Sequence, residues 1–125
     1  MNYKLLFIDD DEDIISAWKM FLEEVPEVEP HFAISGTDAR TFLEKTRYDV
    51  IISDVSMPDG EGVSVINYVL KQDVERPIFL FLTGSTHIDA DYLKAMGADG
   101  VFYKPAEIDE VLNYIQDELS RKNHE

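Results

Sequence analysis

At 125 residues, with 45% hydrophobic and 30% charged side chains, the chain has the length and balance of one folded domain rather than a disordered segment. Its formal net charge of −15 opposes direct contact with nucleic-acid phosphates or anionic lipid, and no apolar run approaches the roughly 20 residues of a membrane span. The absence of cysteine removes disulfide and thiolate chemistry, and Met1 leads into a strand pattern without a cleavable leader, so a cytoplasmic location is expected.

Lys4-Leu5-Leu6-Phe7-Ile8 reads as a buried strand that stops at Asp9-Asp10-Asp11-Glu12-Asp13. Asp11, Glu12 and Asp13 read as a solvated helix start, where acids favour the positive end of the helix dipole and Asp11 or Asp13 serves as N-cap. Asp9 and Asp10 differ because they stand at the strand end itself. Ile14, Ile15, Trp18, Phe21 and Leu22 then form a helical stripe ending near Pro26, with Trp18 in the core. A weak strand around His31-Phe32-Ala33-Ile34 follows, and Pro30 assigns it to the sheet edge. Ser35-Gly36-Thr37-Asp38 supplies a turn and a cap for a short helix that turns Ala39, Phe42 and Leu43 inward.

Val50-Ile51-Ile52 has the β-branched content of a strand buried on both faces, and it delivers Ser53 and Asp54 to its end. Met57-Pro58-Asp59-Gly60 is a turn, with Asp59 and Glu61 read as turn residues. A third helix presents Val65, Ile66, Val69 and Leu70 on one face and is broken at Arg76-Pro77. Ile78 to Leu82 is a strongly apolar strand ending at Thr83-Gly84-Ser85. A fourth helix from about Ala90 to Met96 is closed by Gly97, and Asp99-Gly100 turns into the strand Val101-Phe102-Tyr103, followed by Lys104-Pro105. Ile108, Val111, Leu112, Ile115 and Leu119 mark the last helix, with residues 120–125 expected to fray. His31, His87 and His124 lack ligand spacing and read as surface or edge residues.

Five apolar strands alternating with five amphipathic helices predict one α/β domain over 1–125, with its core at about 4–119 and a parallel sheet covered on both faces. Of the common doubly wound orders, the flavodoxin-like 2-1-3-4-5 places strands one, three and four side by side. It thereby brings Asp9, Asp10, Asp54 and Thr83 to one edge, with Lys104 after strand five. Three carboxylates in one cleft raise one another's pKa unless a cation relieves them. Magnesium suits such a site because it takes one or two carboxylates and keeps several waters. A carboxylate beside the metal can then act as a nucleophile toward a phosphoryl group, with Thr83 and Lys104 as donors to its oxygens.

These motifs together resemble the receiver domain of two-component response regulators, especially the stand-alone chemotaxis type, from Leu5 to about Leu119. The matching segments are Phe7-Ile8-Asp9-Asp10-Asp11, Ser53 to Gly62, Leu82-Thr83-Gly84 and Tyr103-Lys104-Pro105. The resemblance implies that Asp54 is the phosphoacceptor and that Asp10 and Asp54 ligate Mg2+ directly. It assigns Asp9 to the metal mainly through water and Ser56 through its backbone carbonyl. It also implies that Thr83 and Lys104 contact the phosphoryl group, that Ser56 and Ser85 tune its loss, and that Lys104-Pro105 is cis.

The resemblance implies a histidine kinase or phosphotransfer protein as donor, and a chain that catalyses its own phosphorylation and dephosphorylation without being a turnover enzyme. With no effector segment following, output is expected through an unidentified protein target at the face of helix four, strand five and helix five, from a monomer or weak homodimer. Two positions depart from the family: Val101 stands where an aromatic is usual, and Ala106 replaces the phenylalanine that commonly follows Lys-Pro. Two other readings remain at this stage. One is a phosphatase resembling the haloacid dehalogenases, with Asp9 as nucleophile; the other is a receiver-like docking module that is never phosphorylated.

Overall fold

The computed structural model describes residues 2–55, 62–72, 75–84 and 89–123. Its elements follow in strict alternation: β1 (Tyr3–Ile8), α1 (Glu12–Leu22), β2 (Val28–Ala33), α2 (Gly36–Lys45), β3 (Val50–Ser53), α3 (Gly62–Leu70), β4 (Ile78–Thr83), α4 (Ala90–Ala95), β5 (Gly100–Tyr103) and α5 (Ile108–Asn123). The five strands form one sheet in the order β2-β1-β3-β4-β5, every pairing parallel, as the strand pattern predicts.

Strand alternation divides the core into two layers. Leu5, Phe7, Val50, Ile52, Leu80 and Leu82 face α1 and α5, where Trp18, Leu22, Leu112 and Ile115 meet them. Leu6, Ile8, Ile51, Phe79 and Phe81 face α2, α3 and α4, packing on Ala39, Val65, Ile66 and Leu93. Trp18 is core, its ring 4.7 Å from that of Phe7. No helix among the described residues is long and apolar enough to cross a membrane.

Local signals place the helix starts. Asp11 caps α1 by accepting from the Asp13 amide, and Ser35 caps α2 by accepting from Asp38. Gly97 has φ of +121°, and a side chain there would stand 2.9 Å from Leu70 Cδ1, so both backbone and space require glycine. Leu70 itself, expected inward, is half exposed and covers Gly97 with its methyls.

Three boundaries differ from expectation. β2 starts at Val28, because ladder bonds to β1 carry Glu29 and Pro30 into the sheet at its edge. α1 ends at Leu22, short of Pro26, with turn bonds from Glu24 to Phe21 and from Val25 to Leu22. α5 continues through Asn123 instead of fraying at Ser120, and Lys122 Nζ donates to the Arg76 carbonyl at 2.9 Å.

Tyr3 closes the opposite end of the sheet from the strand-end acids. Burial first, and then the charge of Glu27, push its phenol up to about 12, with the Gln116 side chain opposing. A folded-state pKa above the unfolded value means this contribution is complete below about pH 10 and is lost as pH rises toward 12. Urea midpoints of the wild type are therefore expected to fall across that window, and Tyr3→Phe to lose part of the fall.

Candidate functional site

The acids reach one place because the sheet ladders run one residue past the strands. Asp9 N donates to Ala33 O at 3.1 Å, and Asp54 N donates to Ile8 O at 2.9 Å. The β1–β3 register pairs Ile8 with Ser53, so Asp9 and Asp54 emerge side by side. Oxygens of Asp9, Asp10 and Asp54 lie within 4.8 Å of one another. Asp9 is fully buried, Asp54 is partly so, and Asp10 faces solvent.

Lys104 joins them from the far side of the sheet. Its backbone amide donates to Thr83 O at 2.7 Å, which ties the β5 end to the β4 end. Its Nζ stands 2.9 Å from Asp9 Oδ2 and 3.4 Å from Asp54 Oδ2. Burial opposes the ammonium charge, but the adjacent carboxylate of Asp9, and then that of Asp54, outweigh it and raise the lysine above its ordinary pKa. The Lys104–Pro105 bond is cis, and buried Thr83 ends β4 at the same rim. Ser56 and Ser85 lie outside the described residues, as do Asp59, Glu61, His87 and His124.

The donor set fits a hard divalent cation. Asp9 Oδ1 accepts from the Asp11 amide at 2.9 Å, whereas Asp9 Oδ2 is shielded from solvent and has no aligned hydrogen-bond donor. Its neighbour Lys104 supplies charge attraction instead. Three clustered carboxylates with one such oxygen are an oxygen-rich, net negative setting of the kind Mg2+ takes.

Two residues at the ends of the matched segment Ser53 to Gly62 make supporting contacts that the segment itself does not show. Ser53, fully buried, donates its hydroxyl to Asp54 O at 2.8 Å. Gly62 N donates to Val55 O at 2.7 Å, and a Cβ on Gly62 would collide with the Asp54 carbonyl oxygen and stand 2.9 Å from Phe81 Cε1. Gly62 thus sits directly against the backbone of Asp54. The sequence signal for Gly62 was its place at the end of the matched segment from Ser53, in a glycine pair after a turn. Away from the site, Asp99 fixes the start of β5. Its Oδ2 accepts from Phe79 N at 2.8 Å and its Oδ1 lies 3.3 Å from Arg76 Nη1. His31, at the edge as expected, has its Nδ1 2.6 Å from the Tyr48 hydroxyl.

Residues 5–116 match the family model of the response regulator receiver domain. The transcriptional regulatory protein DltR of Streptococcus agalactiae is 28% identical over 113 residues, covering 90% of this chain and 50% of that protein. PrrA of Mycobacterium leprae, also a transcriptional regulatory protein, is 29% identical over 119 residues, covering 95% and 51%. The chain therefore spans about half the length of these relatives. Among solved structures, the receiver domain of the Francisella response regulator 1452 superposes with TM-score 0.83 at 30% identity, covering 97% of this chain and 99% of that one. The chemotaxis response regulator CheY4 of Vibrio cholerae gives 0.81 at 30%, covering 94% and 98%.

Gly62→Ala is expected to force the Asp54 carbonyl or the Phe81 ring aside at a cost of about 1–3 kcal/mol. The check is a lower urea midpoint with unchanged slope.

Proposed function

We propose that this chain, which belongs to the response regulator receiver domain family, takes a phosphoryl group onto Asp54 from a histidine kinase or phosphotransfer protein. Receiver domains are signalling switches rather than turnover enzymes, and they bind Mg2+ at an acidic pocket. The observation that carries the reading is the gathering of Asp9, Asp10 and Asp54, with the Lys104 ammonium against Asp9 and Asp54.

Of the two strand-end acids held by Lys104, Asp54 is the better nucleophile by its surroundings. Asp9 is enclosed, with one oxygen engaged by the Asp11 amide and the other 2.9 Å from Lys104. The Asp54 side chain keeps 13% of its surface, enough for an incoming phosphorus to be approached. An Asp54 oxygen forms the new bond to phosphorus while the bond to the donor breaks, its electron pair leaving with the donor group. Asp9, Asp10 and Asp54 would hold the Mg2+, which when bound neutralises charge on the transferring oxygens. Lys104 and Thr83 then serve as donors to the phosphoryl oxygens from the neighbouring strand ends.

The added charge would draw Lys104 and Thr83 inward, and with them the ends of β4 and β5, biasing the face formed by α4, β5 and α5. Val101 stands opposite Phe81 in the β4–β5 register and packs on the core layer of α2, α3 and α4. An aliphatic side chain thus stands where the family usually carries an aromatic.

With Mg2+ and phosphoramidate, wild-type protein is expected to gain one phosphoryl group by intact mass, and Asp54→Asn none. Equal incorporation in Asp54→Asn overturns the assignment. Phosphomonoester turnover lost in Asp9→Asn but kept in Asp54→Asn would place the nucleophile at Asp9.

A further inference from the structure

Asp54 hangs from a backbone held on both sides of its Cα, by the sheet on one side and by a side chain on the other. Each residue has two soft dihedral angles, so fixing the peptide planes before and after Cα fixes the direction of Cβ. The plane before Asp54 is set by the ladder, where Asp54 N donates to Ile8 O at 2.9 Å. β3 ends at Ser53, so the plane after Asp54 lies beyond the strand. It carries the carbonyl to which the Ser53 hydroxyl donates at 2.8 Å. The same carbonyl meets Gly62 at the start of α3, where a Cβ would collide with it.

Ser53 is itself firmly mounted. It is fully buried, and its backbone pairs with Ile8 on one side and Phe81 on the other. The rest of β3 is Val50, Ile51 and Ile52, and a fourth β-branched hydrocarbon would serve packing as well or better. A hydroxyl in such a place is unfavourable unless bonded, and the Asp54 carbonyl accepts its bond. The carboxylate is held less closely than the backbone. Lys104 Nζ lies 3.4 Å from Asp54 Oδ2 but 2.9 Å from Asp9 Oδ2. The aim of Asp54 therefore depends on the two peptide planes from which it is hung.

We propose, resting on the phosphoacceptor reading above, that Ser53 is a positioning residue for phosphoryl transfer: through the Asp54 carbonyl, its hydroxyl sets the angle at which the Asp54 carboxylate meets phosphorus. Ser53 acts through Asp54 and not by contact with the donor. Near-attack geometry is demanding, and a misplacement of about 1 Å costs roughly 100-fold in rate. Releasing the peptide after Asp54 allows a smaller swing than that, with a correspondingly smaller loss.

The experiment measures the second-order rate constant for labelling of Asp54 by phosphoramidate, read by intact mass, with Mg2+ saturating for each protein. An Asp54 oxygen bonds to phosphorus as the P–N bond breaks, and the electron pair of that bond leaves on ammonia. Ser53→Ala is expected to lower the rate constant about tenfold. Ser53→Thr and Ser53→Val add similar bulk and differ in the hydroxyl, so Thr is expected to label at least about fivefold faster than Val. Urea midpoints of the four unlabelled proteins separate aim from stability. Rate constants that follow the midpoints and not the hydroxyl, or an Ala variant within about twofold of wild type, overturn the inference and leave Asp54 as acceptor. Absence of label on the wild type strikes the phosphoacceptor reading itself, and this inference with it.

Discussion

Like charge forced into a small space is the constraint from which the rest of the molecule follows. Three aspartates whose oxygens lie within 4.8 Å cannot be brought together by their own attraction. The sheet does it: ladder bonds from Asp9 to Ala33 and from Asp54 to Ile8 hold the two strand ends in register, whatever the side chains prefer. The work comes from the apolar runs behind them, since β1, β3 and β4 are buried almost end to end. Each large side chain so buried contributes about 1.5–3 kcal/mol, enough in sum to hold an electrostatically unfavourable cluster in place. Lys104 relieves part of the repulsion, and its own backbone is pinned to Thr83, so the relief is built into the sheet as well.

Much of this was legible in the residues because the deciding signals are local. Uninterrupted runs such as Ile78 to Leu82 mark strands covered on both sides, and Asp11 and Ser35 mark helix starts by chemistry that acts within three residues. The convergence of Asp9, Asp54 and Lys104 was legible once the strand order was chosen, because an aspartate or lysine directly after an apolar strand has few other places to be. What escaped was long-range. Glu29 and Pro30 look unlike strand residues, yet pairing with Lys4 and Leu5 places them in β2. Nothing near Gly62 announces that the Asp54 carbonyl will press on it, and nothing near Lys122 announces the Arg76 carbonyl. Asp99 reads as half of a turn, but its carboxylate also fixes the Phe79 amide across a strand boundary.

The two ends of the sheet divide their tasks. At one, polar groups are arranged for access and charge; at the other, Asp99, Arg76 and Lys122 close backbone ends against one another. Tyr114 adds to that closure by donating to the Asp99 carbonyl at 2.8 Å while its ring packs on Phe102. Chemistry is thereby confined to the rim where backbone gives way to loops, which is where open parallel sheets carry their ligands.

Gly97 sets how α4 is anchored. This helix is only six residues long, and its C-terminal end is held between a left-handed backbone turn and the methyls of Leu70 and Ile66. Just beyond, Asp99 is bonded to Phe79 through both backbone and side chain. The C-terminal end of α4 is thereby tied to α3 and β4 together, so any displacement of that end carries the Leu70 and Phe79 contacts with it.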